Sequence, residues 1–182
     1  MMRFILLSAF ILIAAPVVAQ TCPQPADTSA VRAPLMAALA KAPDEASAKL
    51  IADQIWRIWT TAPDEKAQAL LDRGMERREA YDFEEAEKVL DALIAYCPDY
   101  VEGYNQRAFI RFLRENYDSS LEDLDLVLEK MPDHFAAMSG KALVLMSQGR
   151  MELGQKVLRE ALALNPWLKE RGMLIVVPGQ KI

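Results

Sequence analysis

The chain has little of what most catalytic and metal sites require. It carries one histidine, His134, and two cysteines, Cys22 and Cys97. A single imidazole cannot complete a zinc site with cysteines at this spacing, and the absence of C-x-x-C leaves disulfide-exchange chemistry without its motif. His134 directly follows Asp133 at an expected helix start, where it reads as a solvated turn residue rather than a metal ligand or base. Ser139-Gly140-Lys141 lacks the upstream glycine and the strand of a phosphate loop. Carboxylates are plentiful, yet no pattern sequesters a pair for acid–base work. No metal, no cofactor and no catalytic residue is therefore expected, and the chain does not read as an enzyme.

Positive charge is also in deficit. Against 26 Asp and Glu stand 21 Lys and Arg, a net charge of −5. Such a surface repels phosphate backbones and anionic lipid, which argues against a nucleic-acid or membrane-surface partner. The N-terminus has its own long apolar run, Phe4 to Ala15, preceded by Arg3 and followed by Pro16-Val17-Val18-Ala19. This is the pattern of an export signal, residues 1–19, cleaved before Gln20, rather than of a retained anchor; no integral membrane segment is expected after cleavage. A lipoprotein reading at Cys22 is weakened because Gln20 and Thr21 occupy places where small residues are wanted. An exported chain with two cysteines suggests a Cys22–Cys97 disulfide, whose loop of about 75 residues stabilises by roughly 4 kcal/mol in the chain-entropy model. The alternative keeps Cys97 as a small buried apolar residue and Cys22 as a free thiol in a tail.

What the chain does have is periodic proline. Pro98, Pro132 and Pro166 recur every 34 residues, and each ends a helix because proline lacks an amide donor and clashes with the preceding turn. Asp99 and Asp133 follow the first two and are expected to cap the next helix. Pro43-Asp44 and Pro63-Asp64 repeat the dipeptide outside the strict period. The map that results is a tail over 20–28, a helical hairpin over 29–62, and repeats over 65–98, 99–132 and 133–166 within a 63–166 block. A C-terminal capping segment and tail follow over 167–182. Within that segment, residues 173–177 are expected to pack against the end of the third repeat, and the bulky Trp56 and Trp59 of the first hairpin to form a seam against the first repeat.

Counting back from each proline aligns residue types. Gly74, Ala108 and Ala142 are small in the first helix of each pair; Ala86, Ser120 and Gly154 are small in the second. Phe83, Tyr117 and Met151 follow the turn, and Leu90, Leu124 and Leu158 come later in the second helix. Large opposes small at each crossing, which encodes close helix packing. On these residues the chain resembles the tetratricopeptide repeat family, whose unit is a 34-residue antiparallel helix pair. It departs at one aromatic-type site (Leu70, Tyr104, Met138), at the tyrosine-type site (Arg77, Arg111, Leu145) and at a small site (Leu93, Val127, Ala161). With the export signal it is similar to small exported repeat proteins of Gram-negative bacteria.

The resemblance implies an all-α, right-handed superhelix of three repeats preceded by an N-terminal helical hairpin, with the first helices lining a concave face. Carried over position by position, the expected partner-binding groove comprises Gln68, Leu71, Met75, Arg78 and Glu79 from the first repeat. The second supplies Glu102, Asn105, Phe109, Phe112 and Leu113, and the third Leu143 and Met146, beside Ala136, Ser139 and Ser147. The basic clamp that grips carboxylate tails in this family is absent, since Ala136 and Gly140 stand where cations are wanted. The implied role is a non-catalytic interaction scaffold of the periplasm, holding a peptide or amphipathic helix of a protein partner. Its alternative is a structural or assembly subunit of a cell-envelope complex that uses the convex face or the termini. Whether the groove stays open or is covered by the protein's own ends is left open at this point.

Overall fold

A computed structural model describes residues 21–175. The export signal expected over 1–19 and the last residues of the C-terminal tail lie outside the described residues. Residues 21–28 have no regular structure. Eight α-helices follow: α1 (Ser29–Leu39), α2 (Glu45–Trp59), α3 (Glu65–Glu79), α4 (Phe83–Tyr96), α5 (Val101–Leu113), α6 (Tyr117–Lys130), α7 (Phe135–Ser147) and α8 (Met151–Leu164), then a short 3-10 helix, Lys169–Met173. Among the described residues there is no strand, and no helix is long and apolar enough to cross a membrane.

The pairs α3/α4, α5/α6 and α7/α8 form hairpins, and each hairpin packs on the next through its second helix and the following first helix. The first helices α3, α5 and α7 also touch one another, whereas the second helices form no comparable layer. Rotation of successive units about that inner layer curves the array into a helical-repeat superhelix. The register is tight: α4, α6 and α8 start at Phe83, Tyr117 and Met151. The turn before each of them uses a left-handed residue at the equivalent place, Tyr81 (φ 59°), Glu115 (φ 63°) and Gly149 (φ 77°). Only the third unit has glycine where that conformation is free of Cβ strain.

The crossings are made by the small residues. A side chain at Gly74 would strike Leu90, and one at Gly154 would meet the backbone of α7 at Ala142 and Met146. Ser120 fits because its hydroxyl donates to the Ala108 carbonyl at 2.8 Å. The arginine at the tyrosine-type site of the second repeat also has a structural reason. Arg111 donates to Glu87 of the preceding hairpin and to Asp123 of its own, each at 3.0 Å, while Arg107 forks onto the same buried Asp123. Charge pairing replaces an aromatic contact there and joins the first and second units.

Three local expectations are corrected. Asp99 and Asp133 do not cap α5 and α7; each sits inside the turn after its proline, closed by Tyr100 N–H to Cys97 O and His134 N–H to Met131 O at 3.1 Å. Asp99 instead pairs with Lys130, and Asp133 with Arg32. The Pro-Asp pairs outside the period are the ones that cap: Asp44 accepts from Ser47 N–H at 2.7 Å and Asp64 from Ala67 N–H at 2.8 Å. His134 is not solvated. Fully buried, it is the N-cap of α7, and its Nδ1 accepts from Ala137 N–H at 3.1 Å.

The third correction moves the N-terminal hairpin. Trp59 does not seal α2 to the first repeat; its ring lies on His134 with centroids 3.7 Å apart and tilts against Phe135 at 4.8 Å. Met36, Leu39, Ala48, Ile55 and Trp59 share one cluster with Phe135, and Met131, Leu164, Trp167 and Leu168 pack onto it. Arg32 of α1 forks onto Asp133 at 2.9 and 3.1 Å, and the Trp167 indole donates to the Ala42 carbonyl at 3.1 Å. The chain thus folds its first hairpin back onto its third repeat. Only that repeat offers an apolar ring at the helix start; the equivalent positions hold Ala67 and Val101. From the second repeat, the buried Tyr100 hydroxyl donates to the Trp59 carbonyl at 2.8 Å and ties down the end of α2. Burial and the nearby Glu102 and Asp72 carboxylates push that phenol far above its ordinary range.

Cys22 and Cys97 lie at disulfide distance, Cα atoms 5.2 Å apart, so the N-terminal tail is held beside the end of α4. At the other end, Leu174 packs on the α7–α8 cluster. The Gln155 amide donates to the Met173 carbonyl at 2.9 Å and accepts from Ile175 N–H at 2.7 Å, standing in for a neighbouring strand.

Candidate functional groove

The inner layer of first helices is not left open, because α2 stands across from α5 and α7 as a second wall. Two adjoining cavities lie between them. The smaller, about 250 Å³, is bounded by Trp56, Arg78, Asn105, Phe109, Phe112 and Leu143, among others. The larger, about 670 Å³, continues from it past Trp59, Phe135, Ser139 and Trp167 to Glu170. They share Trp56, Phe109, Ala136, Gly140, Leu143 and Lys169, so they form one slot with a largely apolar floor. Gly140 keeps that floor low, since α7 presents only a Cα there.

Beneath the floor lies a buried polar chain. Arg78 donates to Gln106 Oε1 at 2.7 Å, and Gln106 and Asn105 both donate to Glu102 Oε1, at 2.6 and 2.9 Å. Glu102 Oε2 is 3.1 Å from His134 Nε2. Since His134 Nδ1 accepts a backbone N–H, Nε2 carries the ring proton and donates to the carboxylate. Each oxygen of Glu102 thus has a donor, as a fully buried carboxylate needs. The chain links the starts of α5 and α7 and presents His134 as the platform on which Trp59 stacks. It positions the wall, and its Arg78, Asn105 and Gln106 members reach the smaller cavity while Glu102 and His134 stay sealed behind them.

Of the residues expected in the groove, Arg78, Asn105, Phe109, Phe112 and Leu143 line the slot. Phe109 is the most open of the rings at 41% exposure, and Arg78 sits 5.7 Å above its face. Two expectations fail on burial: Leu71 is wholly inside the α3–α4 core, and Glu102 is sealed in the polar chain. The structure puts others elsewhere. Gln68 bonds to Ala62 N–H and Asp72, Met75 packs on the α3–α4 core, and Met146 packs between α7 and α8 beside Gln155. Glu79 and Leu113 are exposed without lining either cavity. Sequence reasoning missed Trp56, Trp59, Trp167 and Gln106. The tryptophans come from segments outside the repeat period, so no positional transfer reaches them; their bulk was the one available signal.

Among the described residues no three His, Cys, Asp or Glu side chains converge as metal ligands.

No family model matches the chain. It is 35% identical over 130 residues to a TPR repeat-containing protein of Rhizobium etli, an alignment covering 68% of this chain and 60% of that protein. The chain therefore spans less than two thirds of that relative's length. The likeness of sequence extends through most of the hairpin array, and the fold repeats the same helix pair in the same register: the chain belongs to the tetratricopeptide repeat family.

Proposed function

We propose that this chain is a non-catalytic scaffold of the periplasm that holds a segment of a partner protein in the slot between α2 and the first helices α5 and α7. The family's superhelices serve in general as protein-interaction scaffolds, and the resemblance of the N-terminus to an export signal together with the Cys22–Cys97 proximity supports the compartment. The observation that carries the binding site is the slot itself, apolar, solvent-reachable and built around the half-open Phe109. An exposed apolar surface of this kind marks an interaction site. Because α2 already lies where a partner helix would dock, and a helix needs about 10 Å of width, the slot suits an extended segment with apolar side chains.

Photo-crosslinking from the cell envelope tests this. A photoreactive residue at Leu143 is expected to trap a partner that the same residue at Lys156, exposed on α8, does not. Phe109→Ala combined with Phe112→Ala is expected to abolish the adduct while the far-ultraviolet spectrum stays helical. An adduct from Lys156 alone, or one indifferent to the two phenylalanines, removes the slot from consideration.

A further inference from the structure

All three tryptophans of the chain, Trp56, Trp59 and Trp167, line the larger cavity, together with Phe109 and Phe135. The same cavity contains Glu170, which is 8% exposed. Among the described residues its carboxylate accepts no hydrogen bond. Among the described residues its one cationic neighbour is Lys169 Nζ, 3.9 Å away and beyond hydrogen-bond distance, on a side chain 90% exposed. The other lining carboxylates are satisfied locally: Asp53 by Lys49 at 2.6 Å and Glu45 by Arg171 at 3.0 Å. A carboxylate nine-tenths buried without a hydrogen-bond partner is unfavourable unless something supplies the donors. Two further polar atoms of the wall, Trp59 Nε1 and Ser139 Oγ, also have no partner.

We infer that the slot takes an arginine side chain of an extended partner segment, its guanidinium paired with Glu170 and stacked among the tryptophans. This rests on the groove reading above and names the chemistry of its ligand. Guanidinium satisfies both features of the site, because it forks onto a carboxylate and lies flat on indole faces. The rim already shows this pairing within the chain: Arg171 sits 5.0 Å over the Trp167 ring while it bonds Glu45. A partner carrying arginine also matches the sign of the whole molecule, whose net charge is −5. An anionic ligand is opposed by Glu170, and a purely apolar one leaves that carboxylate unpaired.

The test uses the oxidised mature chain and tryptophan emission, which reports on the slot because every tryptophan lines it. Three peptides are titrated: acetyl-Gly-Leu-Ala-Arg-Ala-Leu-Gly-amide and its analogues with citrulline or norleucine in place of arginine. Arginine is expected to bind about tenfold more tightly than citrulline, which has the same shape without the charge. Glu170→Gln is expected to erase that ratio. Lys169→Gln, at an exposed position, is expected to widen it severalfold by removing the competing ammonium. Equal affinity for all three peptides overturns the arginine assignment and leaves the apolar groove standing. A preference for arginine that survives Glu170→Gln overturns it as well, by placing the cation elsewhere. No binding by any peptide at millimolar concentration overturns both this inference and the groove reading.

Discussion

Two glycines fourteen residues apart in the third hairpin look interchangeable in sequence, and the fold gives their alanine variants opposite signs. At Gly154, a Cβ would overlap Met146 Cγ, stand 2.9 Å from the Ala142 carbonyl oxygen and 3.1 Å from Met146 N. The side chain can rotate away, but the two backbone atoms belong to α7, so α7 and α8 must separate. Overpacking of this kind costs about 1–3 kcal/mol. Helix propensity returns up to about 1 kcal/mol when glycine becomes alanine. The net expectation for Gly154→Ala is a loss of about 1–2 kcal/mol. At Gly140 the nearest atoms to a Cβ are Leu124 Cδ2 at 3.5 Å and Cδ1 at 3.8 Å, ordinary contacts. Gly140→Ala therefore keeps the propensity gain and is expected to stabilise by up to about 1 kcal/mol. Urea denaturation followed by far-ultraviolet circular dichroism measures both, with unchanged m confirming that only stability moved. Gly154→Ala as stable as the wild type would overturn the account of how closely α7 and α8 cross, and Gly140→Ala less stable than the wild type would overturn the account of the room between α7 and Leu124 of α6.

Two further expectations follow from the backbone and the cysteines. Glu115 and Gly149 occupy equivalent left-handed turn positions, so Glu115→Gly is expected to gain up to about 1 kcal/mol and Gly149→Ala to lose about 1–2 kcal/mol in the same urea assay; equal and negligible effects would mean that these turns carry no strain. Nonreducing peptide mapping of protein made in an oxidising compartment is expected to recover Cys22 joined to Cys97, and reduction to lower stability by about 4 kcal/mol on the chain-entropy estimate for a loop of this length; two free thiols in the native protein would refute it.

The repeats were legible because their signals are local and periodic. Proline stops, small residues at crossings and leucines at helical spacing act within one hairpin, and each hairpin repeats the same physics. The capping of α5 and α7 was misread for a related reason. Pro-Asp is compatible with a cap or with the interior of a turn, and the choice depended on Lys130 and Arg32, which lie far along the chain from their aspartates. His134 was misread because nothing adjacent to it in sequence announces Glu102 or Trp59, the two groups that surround it. In the groove, Phe109, Phe112 and Leu143 could be found by transfer between repeats, since they keep the period. Leu71 and Glu102 stand 34 residues before Asn105 and Ala136, which line the slot, but are removed from the surface by their own neighbours.

By itself the sequence determined an all-helical array of three 34-residue units, because the stop, turn and crossing signals that build a hairpin are contained within it. Where the N-terminal hairpin goes was decided only by tertiary structure. Its apolar stripe and Arg32 can seek any surface, and the one able to meet both, with Phe135 beside Asp133 and Trp167 close by, is assembled from α7 and the segment after α8. That long-range match places Trp56 and Trp59 across from Phe109 and turns an open inner face into a walled slot.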